Sequence, residues 1–381
     1  RAPPANTEPP SRSSCRRQSC DLHNLFDKRM TEWHKLDILK LTVQPASTNM
    51  VESGLDLYQR MTRMSSMSKE LKPATTISEQ IETLRKRSMQ VDEQLARQWL
   101  SNVSYYRLSA YWYPAKKIGS RGEALEEFRD GTSFEDVVAL YEADRKLRTL
   151  VFDAIERIET TMRTRVGESL CADDPLFYLD PKNFRAEFDH KGWWQTAQKR
   201  VERVGRRNES IQHYRDCYDS RFPFWVLAEV LDFSDVSRLY DGMRVSDQRR
   251  IAESLEIKID LSALSRGTKE KLKKQSPLAR WLEQFAIIRN TCAHHGRLWN
   301  KSFTPAPTSA LKSQTKFSAL PARQSERIFG AIVVMSHLLR VTSPGTTWPD
   351  KVSRLLVEEF LQNPLVRTPS LGIPQEWNRT F

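Results

Sequence analysis

From Phe134 to Leu170 the chain repeats apolar residues at three- and four-residue intervals: Leu140, Leu147, Leu150, Val151, Ala154, Ile155, Ile158, Met162 and Val166. That period puts them on one face of a single helix of about ten turns, and such a stripe is stable only when other apolar helices cover it. Nowhere does an alternating apolar–polar run extend far enough to demand a sheet, and no solenoid-length repeat is present. The expected fold class is all-α, a helical bundle. Further helices are expected from a cap at Ser78, over Val91–Leu100, Phe224–Val230, Leu278–Arg289, Ile328–Leu339 and Val352–Leu361. Gly296 is the expected stop for the Leu278–Arg289 helix, Ser343-Pro344-Gly345 a turn, Lys116–Asp130 a polar loop, and Asp173–Asp219 short helices and loops. The run Tyr105, Tyr106, Arg107, Tyr111, Trp112 and Tyr113 reads as core ahead of a base-stacking surface.

At 381 residues the chain can bury a real core. Lys+Arg number 60 against 48 Asp+Glu, a balance that favours a polyanionic partner, nucleic acid before membrane. The mean hydropathy of −0.60 and the shortness of patches such as Gly330–Met335 argue against a membrane span. The five cysteines, Cys15, Cys20, Cys171, Cys217 and Cys292, imply no disulfide framework, and a reducing cytoplasm is the expected location. Cys15-x4-Cys20 with His23 has no second pair at structural-zinc spacing, so neither a metal nor a cofactor is expected. Residues 1–69 start at Arg1, are Pro/Ser-rich at first, and read as a disordered or non-native extension without function. Their Arg/Ser-rich start resembles a transit peptide less than a translation artefact, and Met50 offers an internal start.

Chemistry concentrates in Arg289-Asn290-Thr291-Cys292-Ala293-His294-His295, directly after an apolar helical run. Asn290 and His294 are four apart and share one face of a helix. An imidazole to move a proton and a guanidinium fork to hold a phosphate are what a phosphate-directed site needs. No Ser-centred elbow, Gly-rich phosphate loop or metal-ligand spacing points elsewhere. The plain alternative is a helix end whose polar residues cap and solvate it.

Arg-x4-His with an amide after the arginine is the motif of the HEPN superfamily, and the longer "RNTCAHHGRLWN" resembles the Abi-like (AbiD/AbiF-type) abortive-infection proteins. "ISEQIETLRKRSMQVDEQLARQWLSNVSYYRLSAYWYP" (Ile77–Pro114), "FEDVVALYEADRKLRTLVFDAIERIETTMRTRV" (Phe134–Val166), "PFWVLAEVLDFSDVSRLY" (Pro223–Tyr240) and "SPGTTW" (Ser343–Trp348) fit the same family in the same order. The resemblance runs from about Glu70 to Pro364. It implies an N-terminal helical segment at 70–130, a HEPN-type helical domain at 131–364 and a C-terminal tail at 365–381. After Phe233, where the family pattern has a small residue, usually glycine, this chain has Ser234, which is expected to alter a turn.

The resemblance also implies an activity: a metal-independent endoribonuclease that serves as a toxin in phage defence. His294 is the candidate for proton transfer, Arg289 for clamping the scissile phosphate, and Asn290 for orienting His294 or donating to a phosphate oxygen. His295 and Arg297 are supporting candidates. Glu159 and Arg163, one turn apart on the long helix, read either as a solvated pair or as lining the same cleft. Attack by the substrate's own 2′-hydroxyl would leave 2′,3′-cyclic phosphate or 3′-phosphate and 5′-hydroxyl ends. Arg289 and His294 lie about 140° apart on an ideal helix. The HEPN resemblance resolves this with a composite site across a helix interface, and no second full motif exists in the chain. Arg29/His34 and Arg185/His190 share only the spacing. The expected partners are therefore an RNA substrate, a second copy of the chain and an antitoxin, RNA or protein, but not a membrane. The alternatives are an RNA-binding protein of the same fold that does not cleave, and a structural dimer module.

Overall fold

Thr76 starts the first described helix rather than Ser78: its hydroxyl accepts from the Glu79 amide, and the Glu79 carboxylate accepts from the Thr76 amide. The computed structural model describes residues 73–205, 207–262 and 264–381. The extension at 1–69, with Cys15, Cys20, His23 and the Arg29/His34 pair, lies outside the described residues. Ala74–Phe381 form one compact unit.

Helices α1 (Ile77–Lys86), α2 (Glu93–Val103) and α3 (Tyr105–Trp112) lead into an antiparallel hairpin, β1 (Lys116–Ile118) with β2 (Ala124–Phe128). The stretch read as a loop thus pairs with itself, which a three-residue strand cannot signal by alternation. Two backbone bonds, Gln90 amide to Thr132 carbonyl and Phe134 amide to Gln90 carbonyl, tie this segment to the start of α4 (Phe134–Leu170). The expected long helix is there over its full length, and Ser133 caps it by accepting from the Asp136 amide.

Beyond α4 come α5 (His190–Val204), α6 (Glu209–Cys217), α7 (Phe224–Ala228), α8 (Phe233–Gly242), α9 (Val245–Ser254) and α10 (Arg266–Lys274). Ser234 lies inside the first turn of α8, so the departure alters no loop. Next are α11 (Pro277–Ala293), a two-residue ribbon of β3 (Ala306–Pro307) and β4 (Gln324–Ser325), α12 (Ile328–Thr342), α13 (Trp348–Leu355) and α14 (Thr368–Leu371). The helix expected at Val352–Leu361 begins earlier, at Trp348, and turns into a π turn at Leu356–Phe360.

The bundle is built on α4, which packs against α3, α7, α8, α11, α12 and α13. Ile328–Leu339 of α12 are buried without interruption, as an all-round apolar helix must be. The Trp348 indole donates to the Leu150 carbonyl at 2.7 Å and locks α13 onto α4. Residues 365–381 are not loose: the rings of Trp377 and Phe381 stand 5.3 and 5.4 Å from that of Phe329. Among the described residues the architecture is all-α with two very small sheets, and no helix is long and apolar enough to cross a membrane.

Candidate functional site

Leu282, Phe285 and Ile288 bury the inner face of α11 against the bundle, and the helix runs past the expected Arg289 to Ala293. It ends in a complete Schellman turn. The Gly296 amide donates to the Thr291 carbonyl at 2.7 Å, and the His295 amide to the Cys292 carbonyl at 2.9 Å. The residue in the left-handed region is His295, with φ of 55°, and not glycine. Gly296 follows it for another reason: a Cβ there would meet Thr291 Cγ2 at 2.9 Å and the Thr291 carbonyl at 3.1 Å. The expected glycine stop is therefore displaced by one residue.

The chain after the turn is held by residues far away in sequence. Asp144, fully buried in the α4 stripe, accepts from the Trp299 amide at 2.8 Å, the Leu298 amide at 3.2 Å, the Tyr111 hydroxyl at 2.7 Å and the Arg148 guanidinium. Burial pushes its carboxyl up, while Arg148, Tyr111 and the two amides pull the other way. Arg297 donates to the Ala110 and Asn300 carbonyls and lies over the rings of Trp299 and Tyr111, at 5.5 and 5.9 Å. Its half-buried guanidinium thus braces the loop from α3 to Asn300. Arg107 donates to the His295 carbonyl at 2.7 Å and steadies the turn from α3.

In front of the turn the side chains are open. Asn290, His294 and His295 are exposed, and among the described residues neither imidazole has a hydrogen-bonding partner. Arg289 is half-buried, with Nη1 3.4 Å from Asn290 Oδ1, Nε 3.9 Å from Glu159 Oε2, and the guanidinium carbon 5.9 Å from the Phe152 ring. Glu159 is buried and accepts from Arg163 Nη2 at 2.6 Å, which also donates to the Leu231 carbonyl at 2.8 Å. Burial raises the Glu159 carboxyl above its ordinary value, against the pull of Arg163 and Arg289.

Phe152, Glu156, Glu159, Thr160, Arg163 and Arg289 line one cleft of about 270 Å³. Arg289, Asn290, Glu159 and Arg163 are thus together, and Glu159 with Arg163 is a sheltered pair at the site, not a solvated one. Arg289 and His294 are five positions apart, the helix ends between them, and no hydrogen bond joins their side chains among the described residues. Arg185 and His190 are committed elsewhere, to Asp241 and the Lys274 carbonyl and to the Tyr178 carbonyl respectively.

Sequence reading passed over Asp144 and Arg148, and gave Tyr111 and Arg107 no part in holding the motif. One signal was available: Asp144 sits in register with Leu140, Leu147 and Val151, a carboxylate on a core face. The aromatic run divides. Tyr111 and Trp112 are core, whereas Tyr106, next to Arg107, is 89% exposed. Among the described residues no group of three or more His, Cys, Asp or Glu is placed to hold a metal ion.

Fold and site together describe an all-helical protein that presents an arginine, an amide and two free imidazoles at a buttressed helix end. The family model described as Abi-like protein matches residues 98–300, more than half of the chain, and the chain belongs to that family. The matched span takes in Tyr111, Asp144, Glu159 and the whole motif to Asn300. Membership points to abortive infection, a defence against phage. Searches of curated proteins and of solved structures give no match.

Proposed function

We propose that the protein is a HEPN-type endoribonuclease of the AbiD/AbiF kind, a toxin of abortive infection that cuts RNA without needing a metal ion. The observation that carries this reading is the contrast within one helix end: the backbone is pinned by buried bonds while the imidazoles of His294 and His295 stay unpartnered and exposed. A fixed backbone with free imidazoles suits proton transfer, because the groups need not be stripped of other bonds before they act.

In this mechanism His294 takes the proton of a ribose 2′-hydroxyl, and the resulting oxyanion attacks the adjacent phosphorus. The P–O5′ bond breaks, and a proton goes to the leaving 5′ oxygen. Arg289 stabilises charge on the phosphoryl oxygens, Asn290 donates to one of them, and His295 holds the strand or supplies the second proton. Because Arg289 and His294 diverge on one chain, the site is completed by the same motif of a second copy, at or near a two-fold axis. The RNA substrate, the homodimer, an RNA or protein antitoxin and a cytoplasmic location belong to this proposal. A second reading, RNA binding without cleavage, draws on the separation of Arg289 from His294 and on the carboxylates beside Arg289.

The test is cleavage of total RNA by purified protein in EDTA beside His294→Ala, with product ends mapped. Cutting by the wild type alone, leaving cyclic phosphate and 5′-hydroxyl ends, is the expected result, with a loss of about 10²–10⁴-fold in the variant. Equal RNA binding and no cutting by either protein would favour the second reading.

A further inference from the structure

At the other end of α11 lies a cleft of a different kind, of about 530 Å³. Lys271 and Lys274 of α10, Arg280 in the first turn of α11 and Arg323 before β4 line it, and no carboxylate does. All four side chains are exposed. Arg280 pairs with Glu283 at 2.7 Å, but among the described residues Lys271, Lys274 and Arg323 have no acidic partner. Like charges gathered from three elements make the local potential positive, which favours an anion there.

The walls are stiff. The Trp281 indole donates to the Pro307 carbonyl at 3.1 Å, and Gln284 donates to the Thr304 and Ser325 carbonyls at 2.7 and 2.9 Å. Arg185 donates to the Lys274 carbonyl at 3.0 Å and fixes the end of α10. Ser276 and Pro277, at the amino end of the 17-residue α11, also line the cleft and add the positive end of its dipole. Pro305, Pro307 and Ala310 offer flat apolar surface beside the cations. Cations, amide dipole and apolar flats together match a phosphate with a sugar or base attached.

We propose that this cleft is a phosphate-binding subsite for a nucleic-acid strand. It grips the strand at the end of α11 away from the histidines, and it rests on the reading of RNA as substrate. The two ends of α11 are about 25 Å apart at 1.5 Å per residue, so one strand several nucleotides long reaches from the basic cleft to the motif. The separation of labour is physical: the cleft around Arg289 contains carboxylates and is poor at attracting a polyanion, whereas this one contains none.

The experiment uses the full chain carrying His294→Ala and a short fluorescein-labelled single-stranded RNA of mixed sequence. Its Kd is read by anisotropy between about 50 and 200 mM salt. Each phosphate contact to a single strand adds about 0.7 to the salt slope. The triple variant Lys271→Glu, Lys274→Glu, Arg323→Glu is therefore expected to bind at least about tenfold more weakly, with a slope shallower by about 2, while Lys271→Arg with Lys274→Arg keeps both. Unchanged affinity and slope in the charge-reversed protein would overturn the proposal. Loss of inorganic triphosphate binding with RNA binding intact would overturn the strand assignment in favour of a free phosphate compound. Binding is read without cleavage, so the two readings separate. A protein that never cuts RNA but loses it on charge reversal keeps the cleft and loses the nuclease. One that cuts RNA with KM unmoved by charge reversal keeps the nuclease and loses the cleft.

Discussion

Asp144 and Glu159 sit on the same helix, each buried, each paired with an arginine four residues on, yet they serve different ends. Every lone-pair direction of Asp144 is taken by a fixed donor: a hydroxyl, a guanidinium and two amides of the loop it anchors. Glu159 has one close partner, Arg163, and its second oxygen faces Arg289 from 3.9 Å across an open cleft. A buried carboxylate with a full set of donors specifies a structure. One left short of donors, beside a cavity, can trade partners when a ligand arrives.

The strongest way to break the comparison is Asp144→Ala. It strands Arg148, the Tyr111 hydroxyl and two amides in the core, and the expected loss is about 3–5 kcal/mol of folding stability, read as a fall in the urea midpoint. A variant as stable as the wild type would show that Asp144 anchors nothing.

Glu159→Gln should act on the site instead. Arg289 and Arg163 lose their counter-charge, so in the proposed nuclease RNA is expected to bind more tightly while Arg289 is held less firmly. The expected outcome is a lower KM with a kcat reduced about tenfold, and a melting temperature close to that of the wild type. Equal loss of stability in both variants would erase the distinction between the two carboxylates.

The smallest effect is in pH dependence. Burial raises the folded-state Glu159 carboxyl above its ordinary value of 4.5, so the folded state holds this proton more tightly than the unfolded chain does. Ionisation then costs stability as pH rises from that ordinary value through the folded one, and the full cost persists above it. Glu159→Gln removes the cost. Its stability relative to the wild type should therefore improve between about pH 4 and pH 7. Urea titrations at both values check the sign, and a relative loss on going to pH 7 would refute it.

Legibility in the sequence followed the range of the interaction. The stripe from Leu140 to Val166 marked α4 over its full length, because three–four periodicity is a local property. The hairpin at Lys116–Phe128 was invisible, since strands so short carry no alternation and pair only when α3 and α4 hold their ends. Arg289, Asn290 and His294 were picked out by residue type and spacing, and Arg297, in the same motif, reads only as a supporting candidate for RNA binding or for holding His294. Only the folded chain shows that its guanidinium also meets the Ala110 carbonyl and the rings of Tyr111 and Trp299.

By itself the sequence determined the class of fold, the long central helix, the apolar face of α11 and the residue types presented at its end, because side-chain period and local backbone preference are written in neighbouring residues. Tertiary structure alone decided which of those residues are free. Asp144 is 154 residues before Leu298 and Arg107 is 188 before His295. Whether a charged group is a strut or a tool depends on the partners that the folded chain brings to it and on whether water still reaches it.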